Sequence, residues 1–291
     1  MNKIKDIIKD ERIKKVERID NLLVVETENN KYCIKEKNGK GVQNLFKYLS
    51  SKDFNNYLNI EINNNYQISR YINQNIIEDS EKLTILVYLI SMLHTKTTYY
   101  ENINLDEIKK IYEELTDHIF EVKKHYEDLV DKNDILLYPP PSMFWLMNNI
   151  SIILKSLDMS KFYLDKWYEI IKDKQRIRKV TIHNNLKLSN LLTGDNYYLI
   201  NWDKSIKASP IYDIESLFKN NYEIIDMVDI YNLYISKYQL FDEEVYLLMS
   251  RLLLINELEL GDNEFQNTIA VNQKIYYLEK INEFLKNSMK N

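Results

Sequence analysis

The chain reads His183-Asn-Asn-Leu-Lys-Leu-Ser-Asn190 and, a short way further on, Leu199-Ile-Asn-Trp-Asp203. The first stretch is mostly polar, and both stretches carry asparagine near their middle, Asn185 in the first and Asn201 in the second. An asparagine side chain has nearly the shape of an aspartate, but it carries no charge and is not a useful base near pH 7. Whatever these two stretches bind, they bind it with amides in their central positions.

Each stretch is attached to a segment with the character of a β-strand. Residues 178–182, Arg-Lys-Val-Thr-Ile, lead into the first stretch, and residues 197–202, Tyr-Tyr-Leu-Ile-Asn-Trp, contain part of the second. A Gly194-Asp195 pair, which is typical of a turn, precedes the latter segment. The sequence therefore predicts a hairpin that bears the polar loop.

The part of the chain before residue 74 is rich in strand-forming residues. Residues 12–37 predict a small antiparallel sheet, and residues 57–72 return to strand character after a short interruption. In that interruption, residues 42–49 have apolar side chains three and four positions apart, which predicts an amphipathic helix.

Beyond residue 74 the apolar periodicity becomes helical, with helices predicted at 81–94, 105–130, 144–157 and 162–172 and from 214 onwards. Residues 139–141 are three prolines, which we interpret as a rigid elbow rather than a polyproline recognition site. The order of elements predicts an α+β fold class with two lobes. Residues 1–73 form a small antiparallel β-rich N-lobe, and residues 74–291 form a larger helical C-lobe that contains the hairpin.

The composition excludes several classes of function. The 291 residues are 45% hydrophobic and 29% charged, an ordinary globular balance, and the net charge of −5 gives no general signal for nucleic acid. The longest apolar stretch, residues 83–93, is shorter than the roughly 20 residues of a membrane span. The single cysteine, Cys33, and an N-terminus without the apolar core of a signal peptide agree with a reducing compartment, so we expect a cytoplasmic protein.

The element order and the motifs of residues 181–220 resemble the protein-kinase-like superfamily, in its aminoglycoside phosphotransferase and choline kinase branch, with spore-coat kinase-like proteins as a closer likeness. The family loop is H-x-D-x-x-x-x-N, in which the Asp acts on the attacking hydroxyl. His183 and Asn190 match this loop, and Asn185 stands in place of the catalytic Asp. The resemblance implies catalytic positions for Asn185, His183 and Lys187. Many members of the family have a lysine at the position of Lys187, where it contacts the γ-phosphate.

The second stretch resembles the family motif hydrophobic-Ile-Asp-Trp/Phe-acid, whose Asp is the principal magnesium ligand. Asn201 stands at that position, and an amide offers only one neutral oxygen to a cation that prefers carboxylate. The resemblance implies a degenerate metal site of Asn190, Asn201 and Asp203, with magnesium affinity sharply reduced. If the strand continues, Asp203 faces the same side as Asn201, but its Cα lies roughly 6–7 Å further along.

Two further segments support the resemblance. Residues 210–214, Pro-Ile-Tyr-Asp-Ile, resemble a Pro-x-Tyr-Asp-Leu signature whose Asp supports the catalytic loop, and Asp213 is also expected to cap the following helix. In the N-lobe, the resemblance places Lys35 against nucleotide phosphates, with Gln43 nearest to the position of its glutamate partner. The resemblance thus implies ATP as the cofactor. The alternative for Lys35 is a solvent-facing side chain, which is common for a lysine near the end of a strand.

Three functions remain open. The first is a pseudokinase that acts by binding a ligand or protein partner, because the loss of one catalytic acid costs on the order of 3–6 kcal/mol of transition-state stabilisation. The second is an active ATP-dependent small-molecule kinase that uses Asp203 or Asp195 for its metal. The third is a helical interaction protein in which the asparagine-rich stretch is only a turn. The two missing carboxylates favour the first.

Overall fold

The computed structural model describes residues 11–19, 22–36, 40–63 and 66–288. The chain divides into two compact units. The sheet unit comprises Met1–Thr97 and Thr181–Ile206, and the helical unit comprises Thr98–Val180 and Lys207–Asn291. The lobe boundary between residues 73 and 74 stays a prediction. The two compact units are defined by their internal packing, so their limits do not test where one lobe ends and the other begins.

An antiparallel sheet of five strands opens the sheet unit, in the order β1-β2-β3-β5-β4. The strands are β1 (Ile13–Ile19), β2 (Leu22–Thr27), β3 (Lys31–Glu36), β4 (Glu61–Asn63) and β5 (Tyr66–Arg70). Val25, Ile34 and Ile68 form the buried core of this sheet. Because side chains alternate along a strand, Cys33 and Lys35 point away from the face that Ile34 buries.

The rest of the sheet unit comprises two helices and a hairpin. The helices are α1 (Lys40–Ser51) and α2 (Asp79–Thr97), and the hairpin strands are β8 (Leu191–Thr193) and β9 (Tyr197–Leu199). A single 3₁₀ turn lies on each side of the hairpin. Leu188–Asn190 packs against α2, and Trp202–Lys204 packs against α1.

The hairpin is hydrogen-bonded to the segment that follows β5. The Asn75 backbone N–H donates to the Thr193 carbonyl at 2.6 Å, and Thr193 Oγ1 donates back to the Asn75 carbonyl at 2.9 Å. Gly194 fits this contact because it has no side chain, since a Cβ there would lie 2.5 Å from Ile72 Cγ2 and 3.0 Å from the Asn73 carbonyl oxygen. The hairpin is thus held closely against residues 72–75.

The helical unit contains most of a three-stranded sheet, in the order β10-β7-β6, and six helices among the described residues. The strands are β6 (Tyr99–Asn102), β7 (Arg176–Ile182) and β10 (Ile206–Ala208). The helices are α3 (Leu105–Asp134), α4 (Pro141–Ile171), α5 (Ile211–Asn221), α6 (Met227–Lys237), α7 (Asp242–Leu253) and α8 (Glu264–Ser288). Helix α4 is central, because it packs against α3, α7 and α8. No helix in the described part of the chain has the length and apolar character to cross a membrane.

The predicted fold class is confirmed, because a small antiparallel sheet precedes a larger helical part. Two details differ from the prediction. The helices expected at 144–157 and 162–172 form the single helix α4, since residues 158–161 contain no glycine or proline to end it. The strand expected at 57–62 is reduced to β4 and to an isolated bridge between Tyr57 and Leu199.

A buried cluster of charges joins α5 to α7. Glu215 accepts hydrogen bonds from Lys219 Nζ at 2.9 Å and from Arg251 Nε at 2.5 Å. Burial on its own raises the pKa of Glu215, but the two neighbouring cations outweigh burial and lower the pKa below its ordinary value. The carboxylate is therefore charged at neutral pH and fully paired.

We expect Gly194→Ala to destabilise the fold by about 1–3 kcal/mol, because its new methyl group must displace Ile72 or the backbone at Asn73. The matched control is Gly261→Ala, where no atom lies within 4 Å of the added Cβ. Thermal unfolding measures both. Equal midpoints for the two variants would show that the hairpin is not closely packed at Gly194.

We expect Glu215→Gln to lower the unfolding temperature at pH 7, because the glutamate pKa is lower in the folded than in the unfolded state. Its stabilising contribution is present above the unfolded pKa of about 4.3 and is lost as the pH falls through the folded value. The difference between variant and wild type should therefore shrink below about pH 4. A difference that stays constant down to acid pH would contradict the ionic origin of this contact.

Candidate functional site

Four of the predicted site residues form one chain of hydrogen bonds in the sheet unit. Lys35 Nζ donates to Asn201 Oδ1 at 3.1 Å, and Asn201 Nδ2 donates to Asn190 Oδ1 at 2.7 Å. Asn190 Nδ2 then donates to the backbone carbonyl of Asn185 at 2.7 Å. The side-chain amides of Asn201 and Asn190 each accept a hydrogen bond at the oxygen and donate one at the nitrogen, so every donor in this set faces an acceptor. We call this set the lysine–amide chain.

The backbone at Asn201 explains how β3 and the loop come within reach. Strand β9 ends at Leu199, and Asn201 adopts a left-handed conformation, with φ 62° and ψ 52°. Asparagine is enriched in this region of conformational space, where most side chains are disfavoured. The conformation turns the chain, so the expectation that Asp203 follows two residues along a continuing strand is wrong. Asp203 lies in the 3₁₀ turn Trp202–Lys204, exposed to solvent.

His183 ties the polar loop to the end of the hairpin. Its ring is completely buried, its Nε2 lies 3.0 Å from the carbonyl oxygen of Ile200, and its plane meets the Trp202 ring edge to face at 4.6 Å. The Ile200 backbone N–H in turn donates to the Asn190 carbonyl at 3.0 Å. Whatever else His183 does, these contacts make it part of the packing that fixes the positions of Asn190 and Asn201.

Trp202 anchors the same region on the side of α1. Its indole Nε1 donates to the Leu199 carbonyl at 2.8 Å, and its ring makes edge contacts with Phe46 and Phe54. Phe46 stacks on Tyr57 with the ring centroids 4.2 Å apart. The aromatic cluster therefore holds the residue that follows Asn201 in one orientation.

A cavity of about 210 Å³ lies beside the lysine–amide chain, entirely within the sheet unit. Its walls are mostly apolar, and Lys35, Asn201 and Asp203 lie among its polar lining residues. Cys33 also lines it, and burial raises the pKa of the Cys33 thiol, which is therefore neutral at pH 7. The apolar wall includes Leu22, Val42, Ile72, Leu192 and Ile200.

The sequence pattern alone did not identify most of this lining. Gln67 and Ser69 reach the cavity because they alternate with Ile68 on β5, opposite Lys35 and Cys33 of β3. The signal that could have found them is the strand alternation that starts at Lys35. Using that signal also requires the β3–β5 pairing, which joins residues far apart in the sequence.

The other predicted residues do not contribute a side chain to the lysine–amide chain. Lys187 is exposed, and Asn185 is half-buried and contributes its backbone carbonyl. Gln43 is half-buried on α1 and, among the described residues, makes no hydrogen bond with Lys35. The catalytic and cofactor-binding roles of these residues stay predictions.

Asp195 has an ion-pair partner of its own. Its carboxylate accepts a hydrogen bond from Arg70 Nη2 at 2.9 Å and one from the Tyr198 hydroxyl at 3.4 Å. It does not line the cavity beside Lys35. A metal role for Asp195 would therefore require breaking the contact with Arg70.

Asp213 lies in the helical unit and is not the cap of its helix. Pro210 occupies the N-cap position of α5, and Asp213 is the third residue of that helix, completely buried. An acid in the first turn still interacts favourably with the helix dipole. The predicted cap at Asp213 is wrong because the helix begins two residues earlier, at Ile211.

The donors of the predicted metal site fit magnesium poorly. Asn201 Oδ1 accepts from the Lys35 cation, and Asn190 Oδ1 accepts from the Asn201 amide, so each oxygen already has a hydrogen-bond donor, and a metal at Asn201 would lie close to a positive charge. Only Asp203 would bring a charged oxygen, whereas magnesium prefers carboxylate and phosphate oxygens in strict octahedral geometry. Throughout the described ranges, no group of three or more His, Cys, Asp or Glu residues is placed to hold a metal ion.

Solved structures share this fold. An aminoglycoside phosphotransferase from Alicyclobacillus acidocaldarius superposes with a TM-score of 0.71 at 12% identity, covering 97% of this chain and 93% of that protein. A spectinomycin phosphotransferase in its AMP-bound complex gives 0.54 at 12% identity, over 98% and 94% of the two chains. The complex of a spectinomycin phosphotransferase with ADP and spectinomycin gives 0.53 at 11% identity, over 96% and 97%. No family model and no curated protein matches the sequence.

The predicted kinase-like fold is therefore confirmed. A purely helical fold is inconsistent with a superposition that covers nearly the whole chain. The narrower likeness to spore-coat kinase-like proteins stays a prediction.

We expect His183→Ala to destabilise the protein by about 2–4 kcal/mol, because it removes a buried ring and its hydrogen bond. The control is Asn185→Ala in the same loop. The Asn185 side chain makes no hydrogen bond among the described residues, so the change should stay within about 0.5 kcal/mol. Thermal or denaturant unfolding measures both, and a small effect of His183→Ala would contradict its packing role.

Proposed function

We propose that this chain, which has the fold of the aminoglycoside phosphotransferases, is a pseudokinase that binds a nucleotide without needing magnesium. In this proposal the nucleotide-bound protein acts through a ligand or protein partner rather than by efficient phosphoryl transfer. The observation that carries the proposal is the lysine–amide chain. It joins Lys35, Asn201 and Asn190 to one another at the position where the resemblance implies a metal.

Charge is the first supporting argument. An aspartate at position 201 would bring a negative charge beside Lys35, and in an active kinase a magnesium ion offsets such charges. Asn201 brings none, and Lys35 Nζ lies 3.1 Å from its neutral amide oxygen instead of a carboxylate. Phosphate groups are anions, and a lysine at the edge of an apolar cavity is a suitable partner for them without a metal.

The shape and lining of the cavity are the second argument. An apolar cavity of about 210 Å³ suits a flat base, and Lys35 and Asn201 supply polar groups in its lining. The spectinomycin phosphotransferase structures were solved with AMP and with ADP. We assign an adenine nucleotide to the corresponding cavity of this chain on these grounds.

Chemistry is the third argument. Asn185 has no basic group to accept a proton from an attacking hydroxyl. The donor set around Asn201 is also poor for magnesium, which normally neutralises the charge that develops on the transferred phosphoryl group. Both deficits act on the same transition state, so the residual rate of transfer should be very low.

An active small-molecule kinase is the second candidate, and one observation favours it. Asp203 is an exposed carboxylate that lines the same cavity as Lys35 and Asn201. It could hold a metal together with the nucleotide phosphates, and an alcohol would then be the acceptor. In that case Asp203→Ala should abolish turnover, whereas the pseudokinase proposal expects no turnover in either protein.

Calorimetric titration of ATP into the purified protein, with magnesium and with a chelator, tests the proposal. We expect the two dissociation constants to agree within about threefold, because Asn190 and Asn201 offer magnesium neutral amide oxygens instead of carboxylates. Lys35→Ala should weaken binding at least tenfold, on the order of 1.4 kcal/mol. The exposed Lys47 on α1 provides the control, since Lys47→Ala removes the same charge away from the cavity.

The same titration on the Asn201→Asp variant tests whether the amide at position 201 is the reason that binding does not depend on magnesium. The new carboxylate gives magnesium a charged oxygen, so ATP binding by this variant should become magnesium-dependent. Asn185→Asp, which restores the other acid, should not confer that dependence. Magnesium-dependent binding by the wild type, or steady phosphorylation of an alcohol, would overturn the proposal.

A further inference from the structure

The connection between α3 and α4 carries an unusual run of exposed apolar residues. Ile135, Leu137 and Tyr138 are 84%, 84% and 87% exposed, with Leu136 between them. Most of the segment's side-chain surface is therefore in water, where apolar groups are disfavoured. The proline run at 139–141 follows at once, and proline fixes its own φ angle, so the segment is presented with little backbone freedom.

Neighbouring helix ends extend this apolar surface. Phe144 and Trp145 in the first turns of α4 are exposed. The Ser142 backbone N–H donates to Glu264 Oε1 at 2.6 Å, which brings the start of α8 against the start of α4. Phe265, the next residue of α8, is 71% exposed. We call residues 135–138, Phe144, Trp145 and Phe265 together the apolar tip.

The area of the apolar tip is too large for an ordinary surface. Its four aromatic side chains expose on the order of 500 Å², taking about 200 Å² for each ring. With the three aliphatic side chains, the total approaches the roughly 800 Å² that each partner buries in a standard protein interface. The largest apolar patch on a typical monomer is about 300–600 Å² and is often functional.

The exposed charges near the tip are mostly acidic. Asp131, Asp134 and Asp262 are exposed close to the tip in sequence, with Lys132 as the nearby cation. An acidic rim is repelled by the anionic surface of a membrane. A two-fold contact between identical tips would bury the apolar residues of both copies and bring the two acidic rims near each other.

We infer that the apolar tip is a contact surface between two copies of this chain. Its exposed area matches one side of a standard interface, and a two-fold axis would place the same apolar residues of the two copies against each other. The acidic rims give this dimer a distinctive property. Because salt screens the repulsion between the rims and does not weaken apolar burial, dimerisation should strengthen as the salt concentration rises.

Sedimentation velocity of the full chain tests the inference, up to a concentration of about 100 μM, where contacts with micromolar Kd are visible. We expect a monomer–dimer equilibrium that shifts toward dimer in high sodium chloride. Leu137→Asp and Phe265→Asp each change one of the two chain segments that form the tip, and each should weaken association at least tenfold. Both side chains are exposed, and circular dichroism confirms that each variant is folded.

The control is Ile76→Asp, because Ile76 is a fully exposed apolar residue of the sheet unit. This change should leave association unaltered. A protein that stays monomeric at all salt concentrations overturns the inference, as does a dimer that tolerates both tip substitutions. Sedimentation with phosphatidylcholine vesicles adds a further arm, in which a monomer that binds vesicles through Leu137 and Phe265 would identify a lipid surface instead.

Discussion

The hydrogen bond from Lys35 to Asn201 is the interaction on which the rest of the account depends. It joins the third strand of the N-terminal sheet to the turn after the hairpin, and it places a cation against a neutral amide rather than a carboxylate. Asn201 can also donate to Asn190, which an ionised aspartate could not do. An amide at position 201 therefore differs from an acid in more than charge. It takes part in hydrogen bonds on both sides, as an acceptor from Lys35 and as a donor to Asn190.

The surrounding structure explains why this arrangement is well ordered. The left-handed turn at Asn201, the buried ring of His183 and the aromatic contacts of Trp202 all act on the same few residues. The hairpin itself is held against residues 72–75 by paired backbone and side-chain hydrogen bonds. These contacts hold the residues beside the cavity in fixed positions. They are the physical basis of the binding function that we propose for this kinase-like fold.

Much of the fold could be predicted from the sequence, because strand-forming runs precede strongly periodic helices and the loop motifs follow in a recognisable order. The alignment of Lys35, Asn190 and Asn201 in one region also followed from those motifs. The turn at Asn201 could not be predicted, since the apolar run before it reads as a strand that continues. The place of Gln67 and Ser69 in the cavity lining depends on the pairing of β3 with β5, which are distant in sequence. The exposure of the apolar residues 135–138 after α3 could not be predicted either, because such residues are usually buried.

The most direct test of the central claim is a crystal structure of the protein grown with ATP and magnesium chloride. The account predicts a nucleotide whose phosphates contact Lys35, with no metal ion between Asn190 and Asn201 and with the amide-to-amide hydrogen bond intact. A magnesium ion coordinated by the side-chain oxygens of Asn190 and Asn201 would contradict it, because the lysine–amide chain would then be a feature of the empty site that gives way to the metal.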